Sequence, residues 1–131
     1  MRILDTDVCI EILRNNTQVI TRRRNTLDRV ATTWITAAEL YYGAAKSHTP
    51  QRKKEAVREF LATLAILSLD ERSAQHFGRI KTDLERAGQG LADADLFIGA
   101  ICLAYEAILV TGNIRHYQRI AGLSLEDWIR G

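Results

Sequence analysis

Residues Ile108-Leu109-Val110 form a continuous apolar run of the kind that suits a strand covered on both faces. Three comparable runs precede it. Ile3-Leu4 stops abruptly at Asp5, Val30 to Ile35 is rich in β-branched residues and holds Trp34, and Ala65 to Leu69 forms the third. Leu123 to Leu125 adds a short edge strand. Longer stretches with apolar residues at helical spacing separate these runs. Val8, Ile12 and Leu13 share one face before Asn15-Asn16, and Val19, Ile20 and Leu27 mark a second helix that carries an arginine run. Thr36 is a suitable cap for a helix from Ala37 to Lys46. Pro50 suits the first turn of a helix reaching Leu64. Asp70 caps a long helix in which Ala74, Phe77, Ile80 and Leu84 recur on one face. Ala87 to Gly90 ends it, and a further helix spans Asp93 to Tyr105. His116 to Ile120 makes a helical turn. Strands alternating with helices predict a three-layer α/β fold, with a short, mostly parallel sheet of four to five strands and helices on both faces.

At roughly 100–200 residues per domain, 131 residues predict one domain over 1–131. The chain is 47% hydrophobic and 26% charged, which excludes wholesale disorder. Two cysteines exclude a disulfide framework, and Cys9 and Cys102 read as buried thiols. Eighteen basic residues against sixteen acidic give a net charge of +2, too weak by itself to indicate a nucleic-acid partner. Its distribution is more informative: Arg14, Arg22, Arg23, Arg24 and Arg29 cluster, as do Arg52, Lys53 and Lys54. These suit either solvated helix faces or a phosphate-facing surface. No apolar run approaches the ~18 residues of a membrane span, and Asp5 and Asp7 interrupt any leader-like start, so the expectation is a cytoplasmic protein without a membrane partner.

The polar residues at element ends carry the chemistry. In a parallel α/β sheet, strand C-termini and helix N-termini share one side of the molecule. Asp5 and Asp7 follow the first strand, and Glu39 lies early in the helix after the second. Asp93 and Asp95 open the helix before the fourth strand, and Thr111-Gly112-Asn113 follows that strand. Several carboxylates therefore converge. Crowded carboxylates repel and raise one another's pKa, and a divalent cation relieves this. Mg²⁺ and Mn²⁺ take carboxylate, water and phosphate oxygens, and in an acidic cup they suit phosphodiester cleavage. Each acid also has a structural reading. Asp5 and Asp95 could serve the helix dipole, Asp93 a helix cap, and Asn113 a turn. His48, His76 and His116 are scattered, and no zinc site or Ser-His-Asp triad follows from them.

Asp5-Thr6-Asp7-Val8 is similar to the opening motif of haloacid-dehalogenase-like phosphotransferases, and Leu109-Val110-Thr111 to their second motif. In that family, however, the threonine precedes the late acidic pair, and here Asp93 and Asp95 come first. Five segments in order resemble another family more fully. Ile3-Leu4-Asp5-Thr6-Asp7-Val8, Ala38-Glu39-Leu40-Tyr41-Tyr42-Gly43-Ala44, Asp95-Leu96-Phe97-Ile98-Gly99-Ala100, Leu109-Val110-Thr111-Gly112-Asn113 and Leu123-Ser124-Leu125-Glu126-Asp127-Trp128 resemble a PIN-domain ribonuclease. More narrowly, they resemble a VapC-type toxin of bacterial toxin–antitoxin modules.

The resemblance implies a Mg²⁺- or Mn²⁺-dependent endoribonuclease that cleaves RNA, transfer RNA among such substrates, and so inhibits translation. The family's acids map to Asp5, Glu39 and Asp95, with Asp93 as the register alternative to Asp95. Asp5 and Asp95 would hold the metal, and Glu39 would complete the cup directly or through a water. The hydroxyl after the last main strand maps to Thr111. A fourth acid would fall at Asn113, which leaves one metal or two open; Thr111 and Asn113 would orient water or a phosphate oxygen. Asp7 stands where asparagine is usual. A VapB-type antitoxin and a homodimer are the implied partners. Trp34, Tyr41, Tyr42 and Phe60 are candidate contact residues for which core packing is the competing role. A phosphatase with Asp5 as nucleophile, or an acidic-cup binding module without activity, are the alternatives.

Overall fold

The computed structural model describes residues 1–131. In chain order it contains β1 (Arg2–Leu4), α1 (Thr6–Leu13), α2 (Thr17–Asn25), β2 (Val30–Thr33), α3 (Trp34–Ala45), α4 (Pro50–Leu61), β3 (Ala65–Leu67), α5 (Glu71–Arg86), α6 (Asp93–Tyr105), β4 (Ile108–Val110), α7 (Ile114–Tyr117) and β5 (Ser124–Glu126). The five strands form one sheet in the order β3-β2-β1-β4-β5, and every neighbouring pair is parallel. The chain lays strands outward on one side of β1 and then returns to its other side with β4. The order therefore reverses between β1 and β4, where crevices open beyond the strand C-termini.

Alternation along the strands divides the core. Ile3 and Leu109 point to one face with Ile80, Leu84, Leu96, Ile98 and Ile101 of α5 and α6. Leu4 and Val110 point to the other with Val8, Val19, Leu40, Val57, Phe60 and Trp128. Both faces are thus sealed by helices. This is why β1 and β4 are short apolar runs rather than alternating ones. No helix is long and apolar enough to cross a membrane.

Several boundaries move relative to the sequence expectation. β2 ends at Thr33 rather than Ile35. The Thr33 hydroxyl caps α3 by accepting the Thr36 amide at 3.2 Å, so the cap is Thr33 and not Thr36. β3 likewise stops at Leu67, leaving Leu69 exposed, and α4 ends at Leu61. α7 begins at Ile114, two residues before the expected turn. Leu27 lies beyond α2 in open solvent. Phe60 is core, whereas Trp34 and Tyr42 are exposed. Asp70 caps α5 as expected, through a reciprocal pair with Ser73. Cys9 and Cys102 are both buried, and desolvation pushes the Cys9 thiol up to about 12.

Candidate active site

β1 delivers Asp5 directly beyond Leu4, and β4 delivers Thr111 beyond Val110, the register partner of Leu4. The two side chains meet: the Thr111 hydroxyl donates to Asp5 Oδ2 at 2.8 Å. Asp5 also caps α1, with Oδ1 accepting the Thr6 amide at 2.9 Å. A third donor reaches it from α7, where the Tyr117 hydroxyl lies 3.4 Å from Asp5 Oδ1 and 3.3 Å from Asp95 Oδ1. Tyr117 has one proton to offer two carboxylates. Its ring is wholly buried, and burial together with Asp5 and Asp95 raises its pKa far enough to keep the hydroxyl protonated.

Asp5 itself is only 6% exposed. Burial first, and the negative charge of Asp7 second, push its carboxyl up to about 7; the bonds from Thr111 and Thr6 oppose that rise. No arginine, lysine or histidine pairs with Asp5, Asp95 or Glu39; every ion pair in the protein involves other acids.

The remaining expected residues divide. Asp95 joins Asp5, whereas Asp93 turns outward and accepts from Lys81 at 2.9 Å. Helical geometry separates them: residues two apart project to nearly opposite sides at 3.6 residues per turn. Glu39 lies exposed on α3, held by the Thr6 hydroxyl at 2.6 Å, and that hydroxyl also meets Thr36 Oγ1 at 3.0 Å. The expected three-acid cup is therefore not closed, since no three acid, histidine or cysteine side chains gather within coordinating reach. Asp5 and Asp95 form one half around Tyr117, and Glu39 stands apart on Thr6.

Asn113 does not bring its carboxamide to the acids. Its Oδ1 meets His116 Nδ1 at 2.6 Å, while its backbone amide donates to Thr111 Oγ1 at 2.9 Å. Asp7 Oδ2 accepts the Gly112 amide at 2.9 Å, and its buried Oδ1 has no partner. Sequence reasoning missed Tyr117, Thr6 and Thr36. The one available signal was Tyr117 as a large ring set among the polar residues Arg115, His116, Gln118 and Arg119.

Fold and site together define a parallel α/β protein with a pair of carboxylates, Asp5 and Asp95, at its topological switch point. Residues 2–123 match the PIN domain. The chain is 35% identical over 127 residues to ribonuclease VapC2 of Haemophilus influenzae, covering 96% of each. It is 36% identical over 126 residues to the tRNA(fMet)-specific endonuclease VapC of Salmonella typhimurium, covering 95% of this chain and 96% of that one. The DNA-bound VapBC crystal structure from Salmonella typhimurium superposes with a TM-score of 0.92 at 34% identity, over 97% of each chain. The chain belongs to the PIN-domain family, in its VapC ribonuclease branch. That membership displaces the phosphotransferase alternative.

Proposed function

We propose that this chain is the RNA-cleaving toxin of a toxin–antitoxin pair, and that it hydrolyses a phosphodiester at the C-terminal edge of β1 and β4 with Mg²⁺ or Mn²⁺. The observation that carries the metal is the pairing of Asp5 and Asp95 on one hydroxyl with no cationic side chain beside them. An Asp5 carboxyl pushed up to about 7 by burial and neighbouring charge is a group that lacks a positive partner. The donors are all oxygens, the set a hard divalent cation takes. Bound there, the cation supplies charge neutralisation at the phosphate and activation of water.

The chain's own residues do the rest. Asp5 and Asp95 would hold the cation. Thr111 fixes the rotamer of Asp5, and the Asn113 amide fixes Thr111 in turn. Tyr117 shares its proton between the two carboxylates and keeps water out of the core behind them. Glu39, solvated and held only by Thr6, is placed to accept a proton from an incoming water. The Asn113 carboxamide, engaged with His116, acts at most on that rim. The substrate is a folded RNA cut at an exposed loop, where bases splay out; the transfer-RNA specificity of the Salmonella relative favours that class. A VapB-type antitoxin as inhibitor is supported by the VapBC assembly among the similar structures, and a homodimeric toxin completes the reading.

The test is cleavage of transfer RNA by the purified protein. Excess chelator should abolish cutting and added Mn²⁺ should restore it. Undiminished cutting in chelator would remove the metal. Intact RNA in the presence of Mn²⁺ would instead leave an acidic-cup binding module.

A further inference from the structure

The segment after β5 reaches back into the site. Arg130 Nη1 donates to the Gly112 carbonyl at 2.7 Å. That carbonyl and the Asn113 amide belong to one peptide group, and the Asn113 amide donates to Thr111 Oγ1 at 2.9 Å. Thr111 Oγ1 donates in turn to Asp5 Oδ2 at 2.8 Å. A guanidinium thus stands at one end of a single line of hydrogen bonds, and the buried Asp5 carboxylate at the other. Each bond polarises the next in the same sense. Asp7 holds the preceding peptide group through the Gly112 amide at 2.9 Å.

Gly112 is therefore gripped from both sides. A Cβ there would lie 2.9 Å from Asp7 Oδ2, 2.9 Å from Ile129 Cδ1 and 3.2 Å from Arg130 Nη1, so any side chain at 112 would push these side-chain ends aside. The arginine's own support is local: its backbone amide and that of Ile129 donate to Asp127 Oδ1, and its side chain reaches Asp127 Oδ2 at 3.4 Å. The Arg130 side chain is 70% exposed, which separates any role in the site from a role in the core.

We infer that Arg130 and Asp7 are positioning residues that clasp the Gly112 peptides and thereby aim the Thr111 hydroxyl at Asp5. The inference rests on the reading of Asp5 as part of the cleavage site. A clasp acting on geometry changes kcat and leaves substrate binding alone.

Arg130→Ala should lower kcat roughly tenfold, the scale of one charge-assisted hydrogen bond, with KM and melting temperature unchanged. Arg130→Lys, which keeps one charged donor, should recover part of the loss. Asp7→Ala should cost about as much, whereas Asp7→Asn keeps an oxygen for the Gly112 amide and should retain most of the activity. Arg130→Ala and Asp7→Ala should combine to less than the product of their effects, because they hold adjoining peptides. In the metal-free protein, both alanine variants should shift the Gly112 and Asn113 amide resonances, a readout independent of cleavage.

Three outcomes overturn the clasp. A raised KM with unchanged kcat and a shallower salt dependence would make Arg130 an RNA contact. Equal losses in Asp7→Asn and Asp7→Ala would make the charge of Asp7, not its acceptor oxygen, the working feature. Unmoved amide resonances would remove the line of bonds. Asp5→Asn keeps the two readings apart. If it cuts normally, the cleavage site is elsewhere; if it is inactive while Arg130→Ala is wild type, only the clasp fails.

Discussion

The two halves of the site are built differently. Asp5, Thr111 and Tyr117 lie almost wholly inside the protein, each hydrogen-bonded to another member of the group. Glu39 is exposed and has one hydroxyl partner on α1. In the buried half, every polar atom must be paired and every charge costs desolvation, so geometry is fixed before substrate arrives. In the exposed half, water satisfies the carboxylate, and the side chain is free to adjust to what binds. The buried half therefore couples activity to stability, and the exposed half does not.

Asp5→Asn should break that coupling most visibly. Cleavage should fall about a thousandfold or more, because a group holding the cation is gone. The same variant should be more stable than wild type in metal-free buffer at neutral pH. The folded state binds the Asp5 proton up to about 7, whereas the unfolded chain releases it near the ordinary value of 3.8. Between those values the native state holds more protons, so metal-free wild-type stability should fall as pH rises through that window. Melting curves across pH 4 to 8 should show the decline in wild type, a flatter profile in Asp5→Asn, and its reversal by Mn²⁺. An identical decline in the variant would mean that Asp5 does not carry it.

Glu39→Gln should separate the halves from the other side. Single-turnover cleavage should drop about a hundredfold, the scale of a lost proton acceptor, with stability within about 0.5 kcal/mol of wild type. A large stability change there would contradict the solvated character of that half. Tyr117→Phe should move both quantities moderately, with activity down about tenfold and stability down by about 1–2 kcal/mol as the buried Asp5 and half-buried Asp95 carboxylates lose their shared donor. Asn113→Ala should do least, less than about threefold in rate, because the backbone amide that supports Thr111 is retained. A loss from Asn113→Ala matching that of Glu39→Gln would return the carboxamide to the reacting centre.

Much of this site could be read before any coordinates were known, and the reason is local. A carboxylate directly after a two-residue apolar run sits at a strand end whatever the rest of the fold does, and so does a threonine directly after Ile108-Leu109-Val110. Asp5 and Thr111 were legible on that ground. The choice between Asp93 and Asp95 was not. Both lie in the first turn of α6, and only the rotation of that helix against α5, fixed by packing such as Phe77 stacked on Phe97 at 4.1 Å, turns one inward and the other onto Lys81.

The alternation of short strands with helices, the parallel sheet, and the side of that sheet on which its acids lie are all written in the order of residues along the chain. These follow from periodicity and capping, which act over a few residues. Folding in three dimensions is what joins Asp5 to Asp95 through Tyr117, sets Glu39 apart on Thr6, and ties Arg130 through Gly112 to Thr111. Those contacts depend on strand register and helix rotation, which are set by packing between segments up to 124 residues apart, as in the Met1 carbonyl bound to the Ile108 amide and the Arg2 side chain on Glu126. No local pattern encodes a distance across the sheet.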